Sequence, residues 1–273
     1  KALAKHLLTK GHYDNYSGEI GRIIIYSRGE HCQEQMQREF ASHDVGQRMR
    51  YRIGDVRDAS RLEMAMRGVD IVVHAAALKV IPKCEADPAE AVKTNVLGTL
   101  NVIETALKTN VRKVMAISTD KAAASSTLYG STKHCAERLI AAANSYSGRT
   151  GARFAAVRYG NVIGSRGSIV PLFKRLKAEG AKALPITSPH MTRFFWEIEE
   201  AVEFTLSSLD MMAGGEVFIP KLKARRIVDL AREIAPELPH EIIGIRPGEK
   251  LHEVLVSEDE ARATLELADR YVL

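Results

Sequence analysis

Short apolar runs alternate with longer amphipathic stretches over roughly the first two thirds of the chain, the pattern of strands and helices taken in turn. The runs Arg22–Tyr26 (RIIIY), Arg50–Ile53, Ile71–His74 (IVVH), Val111–Ile117 (VRKVMAI) and Phe154–Arg158 (FAAVR) predict strands. Most are apolar enough to be buried on both faces, as parallel strands are. Between them, Cys32–Phe40, Ser60–Met66, Ala89–Leu107 and Ser131–Ser145 carry the longer period of helices. This βαβα order predicts an α/β fold with a doubly wound parallel sheet.

From about Gly164 the alternation breaks down. Helices are expected at Pro171–Glu179, Glu199–Asp210 and Arg226–Ile234, with a strand at Glu216–Pro220 and a tail rich in Gly, Pro and charge around Ile245–Glu249. The expected division is a dinucleotide-binding domain over 1–165, with 191–215 returning to it, and a small α/β substrate domain from 166–190 and 216–273. A dinucleotide-binding sheet normally opens with a strand, a Gly-rich turn and a helix. Here Gly18 and Gly21 precede RIIIY, Gly164–Gly167 (GSRG) comes too late, and the chain opens on helical sequence. The expectation is that the first strand and its turn are missing from the N-terminus, because losing a central strand would expose two ladders of backbone groups.

Composition narrows the class. The 273 residues are 45% hydrophobic and 27% charged, enough for a sizeable core and against disorder. No apolar run reaches the ~20 residues of a bilayer-spanning helix, so no membrane partner is expected. The net charge of +5 is dispersed and only 6% of residues are aromatic, which favours a small anionic substrate over nucleic acid. Cys32, Cys84 and Cys135 share no CxxC spacing and the His residues form no ligand cluster, so a reducing compartment and no metal are expected. KALAKHLLTK at the start lacks the features of a signal peptide, and the expected location is cytoplasmic.

The most informative stretch is Ser118-Thr119-Asp120-Lys121, directly after a buried strand, followed by Tyr129-Gly130-Ser131-Thr132-Lys133 at a helix start. Tyr129 and Lys133 stand four apart and share a helical face. A phenol titrates near ~10, and a nearby ammonium would bring it toward a working base. Such a base could take a proton from an alcohol while hydride leaves the same carbon for a nicotinamide. By themselves, YxxxK also reads as a surface Tyr on a Lys stem, and Asp-Lys as a solvated ion pair.

Read with SRGE at Ser27–Glu30, GDVRD at Gly54–Asp58, HAAALK at His74–Lys79, KTNVLGTLNV at Lys93–Val102, RYGNVIGSRGS at Arg158–Ser168, MTRF at Met191–Phe194 and RPGEKLHE at Arg246–Glu253, these motifs resemble the inverting UDP-N-acetylglucosamine 4,6-dehydratases. That family belongs to the extended short-chain dehydrogenase/reductases and works in polysaccharide biosynthesis. The similarity is collinear over nearly the whole chain. It implies a Rossmann-like fold, a UDP-sugar substrate, NADP rather than NAD, and a homo-oligomer.

The resemblance assigns Tyr129, Lys133 and Thr119 to oxidation at C4 of the sugar. It makes Lys121 the candidate base for the C5 proton and Asp120 the acid for the departing C6 hydroxyl. It places Ser27, Arg28, Asp55, Val56, Ala75, Ala76, Ala77, Lys79, Asn95, Tyr159, Asn161 and Val162 against the cofactor, together with Tyr129 and Lys133. Arg28 would suit a 2′-phosphate. The family carries Asp and Lys where this chain has Gly29 and Cys32, which removes one phosphate partner. Lys79, Asn161, Arg193, Arg246 and Glu249 fall at positions near the nucleotide-sugar. Asn95 reads equally as an amide that organises its helix, and His74 as a strand-end residue.

Two other readings stay open. A UDP-sugar 4-epimerase of the same superfamily, or a dehydratase that also epimerises C3, shares the C4 oxidation. A non-catalytic dinucleotide-binding protein would keep the fold without turnover.

Overall fold

The computed structural model describes residues 1–10, 20–44, 46–148, 151–165 and 167–273. Gly18 and Arg166 of the expected glycine-containing loops lie outside them. The chain starts with α1 (Ala2–Lys10), β1 (Ile23–Ser27), α2 (Glu30–Phe40) and β2 (Met49–Ile53). The next elements are α3 (Ala59–Met66), β3 (Ile71–His74), α4 (Ile81–Ala86), α5 (Pro88–Val92) and α6 (Gly98–Lys108). The centre holds β4 (Lys113–Thr119), α7 (Leu128–Ser147), β5 (Arg153–Tyr159) and β6 (Asn161–Val162). Then come α8 (Ile169–Ala178), β7 (Leu184–Ile186), β8 (Thr192–Trp196), α9 (Ile198–Met211) and β9 (Val217–Pro220). The last are β10 (Ala224–Arg226), α10 (Ile227–Ile234), β11 (His240–Ile242), α11 (Glu258–Ala261), β12 (Leu265–Glu266) and β13 (Arg270–Val272).

The large sheet runs β12-β13-β9-β5-β4-β3, with β3, β4, β5 and β9 parallel and the β13–β9 pair antiparallel. Its middle is apolar on both faces, as the sequence predicts: Phe154, Ala155, Ala156 and Val157 are all fully buried. Burying a side chain such as Phe154 contributes about 1.5–3 kcal/mol. Strands β1 and β2 form a separate parallel pair with a core of their own: Ala4, Leu8, Ile23, Phe40 and Met49. The outer edges of β1 and β3 have no strand partner among the described residues. Ile24, Ile25, Val72 and Val73 are accordingly half-buried, where strands buried on both faces were expected.

Local chemistry explains where the elements differ from expectation. The helix expected over Ala89–Leu107 is α5 and α6 joined by a wide π turn at Lys93–Leu97, whose Asn95 is drawn inward. Helix α7 begins three residues earlier than Ser131, because the Thr127 hydroxyl accepts from Gly130 N and caps it. Strand β4 begins at Lys113 rather than Val111, because the amides of Arg112 and Lys113 both turn to the Asp70 carbonyl.

Strand placement also divides the C-terminal part differently from the expected boundary. Residues of β9, β12 and β13 extend the large sheet, since all four residues of β9 are buried. The smaller lobe uses the β10-β8-β6 sheet, the parallel β11–β7 pair, α8 and α10, around Phe173, Leu184, Ile186 and Ala231. Fully buried Arg158 ties the C-terminal segment to this frame. Its guanidinium donates to both oxygens of Glu137, to both of Glu260 and to the Leu255 carbonyl, at 2.7–3.1 Å. Among the described residues no helix is long and apolar enough to cross a membrane.

Candidate active site

Strand β4 ends in the turn that carries the reactive run. The Thr119 hydroxyl donates to Asp120 Oδ1 at 3.0 Å and accepts from the Lys121 amide at 3.4 Å, which folds the chain back immediately after the strand. Lys121 Nζ donates to the same Oδ1 at 2.9 Å. Asp120 is fully buried, yet its Oδ2 has no partner. A buried carboxylate oxygen without a donor is costly and is expected where a ligand supplies the missing group.

Helix α7 is pressed against this turn. A Cβ on Gly130 would stand 2.2 Å from the Lys121 carbonyl oxygen, so only glycine allows the helix start to come so close. The approach brings Tyr129 to Thr119, with which its hydroxyl shares a hydrogen bond. Lys133, one turn along, sends its ammonium to the Ile117 carbonyl at 2.8 Å. Burial pulls Lys133 down to about 8, partly opposed by Glu137. Burial pushes the Tyr129 phenol above its ordinary value, and the nearby Asp120 charge adds to this against the Thr119 hydrogen bond. The expected lowering of Tyr129 by Lys133 is therefore absent in this structure, because the carbonyl takes the ammonium. His74 is pulled down to about 3 by burial and by Lys133, and its ring bonds Thr99 at 3.0 Å. That makes it a neutral strand-end residue.

The proposed cofactor contacts follow the C-terminal ends of the parallel strands, where such sheets bind ligands. Ser27 and Arg28 follow β1, Asp55 and Val56 follow β2, and Ala75–Ala77 follow β3. Arg28 is exposed and lies 3.6 Å from Asp55. Arg57, which sequence reasoning missed, binds Asp55 at 2.7 Å and holds its carboxyl below the usual range. The Ser27 hydroxyl accepts from Gln33 Nε2 at 2.9 Å. The small side chains of Ala75–Ala77 and the exposed cation of Arg28 fit a dinucleotide lying along this edge. Lys79 is exposed, and Asn161 Oδ1 stands 3.5 Å from Lys121 Nζ.

Three expected ligand contacts are engaged elsewhere. Asn95 donates to the Leu78 carbonyl and to Thr132 Oγ1 and accepts from the Leu78 amide, at 2.8–3.0 Å, so it organises the π turn. Tyr159 turns its hydroxyl into α9, donating to the Ala201 carbonyl at 2.8 Å and pairing with Thr205, and burial pushes it up to about 12. Its ring meets Trp196 edge-on, and beside it Val162 packs in the same cluster. Arg193 donates to the carbonyls of Thr192, Lys250 and Leu251 at 2.7–3.2 Å, which makes it the anchor of the loop over 246–253. Arg246 pairs with Glu249 at 3.1 Å on that loop. Lys250 Nζ donates to the Ala123 carbonyl at 3.0 Å and carries the loop to the reactive turn. Lys250 and Glu253 were not singled out from the sequence. Their signal was present in RPGEKLHE, but their distance of some 130 positions from Lys121 hides the contact.

This chain is 49% identical over 265 residues to a UDP-N-acetylglucosamine 4,6-dehydratase (inverting) of Campylobacter jejuni, covering 97% of this chain and 78% of that protein. It belongs to that family. A sequence profile described as polysaccharide biosynthesis protein matches residues 13–273. Within the wider superfamily, a UDP-glucose 4-epimerase of Rickettsia canadensis is 38% identical over 257 residues, covering 93% of this chain and 74% of the epimerase. Among solved structures, Pen from Bacillus thuringiensis superposes with a TM-score of 0.87 at 37% identity, covering 92% of this chain and 79% of that one. The family's doubly wound α/β architecture is the one described above.

Proposed function

We propose that this protein is an NADP-dependent lyase that converts UDP-N-acetylglucosamine to a UDP-2-acetamido-2,6-dideoxy-hexos-4-ulose with inversion at C5. The observation that carries the reading is the buried Asp120 carboxyl, bound through one oxygen to Thr119 and Lys121 and with the other oxygen unpartnered. A nicotinamide at this edge would accept hydride from C4 and return it to C6.

Tyr129 and Thr119 meet at one point and would hold the C4 oxygen between them, with Tyr129 in its phenolate form taking the hydroxyl proton and becoming the neutral phenol. Lys133 fixes the phenol's helix against β4 through the Ile117 carbonyl. Once C4 is a ketone, the C5 proton is acidified, and the neutral amine of Lys121 would remove it. Asp120 in its acid form would protonate the C6 hydroxyl as it leaves as water. Lys79, Arg246 and Glu249 would meet the nucleotide diphosphate and ribose. Arg28, standing directly after β1 where an acidic residue would meet a ribose hydroxyl, favours NADP over NAD.

Incubation with UDP-N-acetylglucosamine in deuterated water tests this. The product should lose one water by mass and carry deuterium at C5. The 38% identical epimerase supports a second reading, in which the sugar returns with its C6 oxygen and an altered C4. Product that retains the C6 oxygen decides for it.

A further inference from the structure

Glu253 is a buried acid with no task in the chemistry above. Its side chain is 5% exposed, on a loop far in sequence from β4. Oε1 stands 3.6 Å from Lys121 Nζ and 3.9 Å from Arg193 Nε, and Oε2 stands 3.9 Å from Lys250 Nζ. Oε2 accepts no hydrogen bond. A carboxylate is costly to bury, and three cations around it compensate. A structural acid could achieve that with Arg193 and Lys250 alone. The geometry adds a third cation, and that cation is Lys121.

A lysine end rotates about a four-carbon stem, so a single partner leaves it poorly directed. Lys121 Nζ has three: Asp120 Oδ1 at 2.9 Å, Asn161 Oδ1 at 3.5 Å and Glu253 Oε1 at 3.6 Å. They come from three separate segments. The Glu253 distance exceeds that of a good hydrogen bond, so the carboxylate directs the lysine end by charge. The loop that carries Glu253 is itself fixed, because Arg193 binds the carbonyls of Lys250 and Leu251 and Lys250 binds that of Ala123.

We propose that Glu253 is the positioning residue of Lys121: from the 246–253 loop it holds the amine in line with Asp120, so that docking of this loop completes the dehydration half of the site. The role rests on the dehydratase reading. It separates the two half-reactions, because oxidation at C4 uses Tyr129 and Thr119, which Glu253 does not touch.

The test uses the protein loaded with its nicotinamide cofactor and given UDP-N-acetylglucosamine in deuterated water. Two quantities are followed: reduced-nicotinamide absorbance for C4 oxidation, and deuterium at C5 for the Lys121 step. Glu253→Gln keeps the shape and removes the charge. It should lower C5 exchange by at least about tenfold and C4 oxidation by less than about twofold. Glu253→Asp keeps the charge but shortens its reach, and should show a smaller loss confined to the same step. Melting within about 2 °C of wild type confirms an intact fold, and if Glu253→Gln fails to fold, the Glu253→Asp pattern decides. Equal losses in both steps, or none in either, overturn the proposal while the dehydratase reading stands. A wild type that incorporates no deuterium at C5 overturns both.

Discussion

Lys133 stands one helical turn beyond Tyr129, yet its ammonium donates to the Ile117 carbonyl while the phenol pairs with Thr119. The lysine thus braces the helix against β4, and the phenol is left in a setting that favours its neutral form. An ultraviolet titration of the ligand-free protein should therefore find Tyr129 ionising above the ordinary tyrosine value, with Tyr129→Phe removing that component. The same substitution should reduce C4 oxidation by about 100-fold or more, the scale of a lost acid–base group.

Lys121→Ala should separate the half-reactions more sharply than any change at Glu253. Reduced-nicotinamide absorbance should still appear on adding substrate, within about threefold of the wild-type rate, while deuterium at C5 falls by about 100-fold or more. Loss of both signals together would contradict the division of labour between Tyr129 and Lys121.

Arg158 is a single cation serving two carboxylates inside the protein. Arg158→Met keeps most of the volume but leaves Glu137 buried without its partner. The expected cost is about 3–5 kcal/mol, a drop in melting temperature on the order of 10 °C for a chain of this length. Calorimetry of Arg158→Met, Glu137→Gln and the double variant reads it, and the double variant should be more stable than Arg158→Met alone.

Acid should weaken the fold in two overlapping windows. For Glu260, burial works to raise the carboxyl, but the Arg158 hydrogen bonds outweigh it and hold it at about 2. Its contribution is present above the unfolded value of 4.5 and is lost as pH falls through about 2. Burial depresses His74 to about 3 against an unfolded 6.5, so the unfolded chain takes up its proton first and stability falls below about pH 6.5. Urea midpoints measured from pH 7 downward should decline through both windows. Glu260→Gln should flatten the lower one.

The reactive run was legible because its parts are local: a strand end, a turn and the next helix bring Thr119, Asp120, Lys121 and Tyr129 together with little help from the rest of the chain. The parallel core was legible for the same reason, since FAAVR and IVVH are apolar enough to declare themselves. The smaller lobe was not. Its strands β6, β7, β10 and β11 have two or three residues each, too few for a period to register. Side-chain direction was also hidden. Arg158 and Tyr159 are neighbours on one strand and so face opposite sides, which sends the tyrosine into α9 and away from the ligand edge. Arg193 and Glu253 reveal their tasks only when the 246–253 loop lies beside β4.

The β1–β2 piece has a core of its own and meets the core of the large-sheet piece through Tyr26 and Val56. Amide hydrogens of Ile23–Ser27 and Met49–Ile53 should exchange before those of β4 and β5, whose residues are more deeply buried. The proposed dinucleotide edge draws Ser27, Arg28, Asp55 and Val56 from one piece and Ala75–Ala77, Tyr129 and Lys133 from the other. A ligand seated there would be a staple between the two pieces: its binding energy would appear as slower exchange in β1 and β2, far from the reacting carbon.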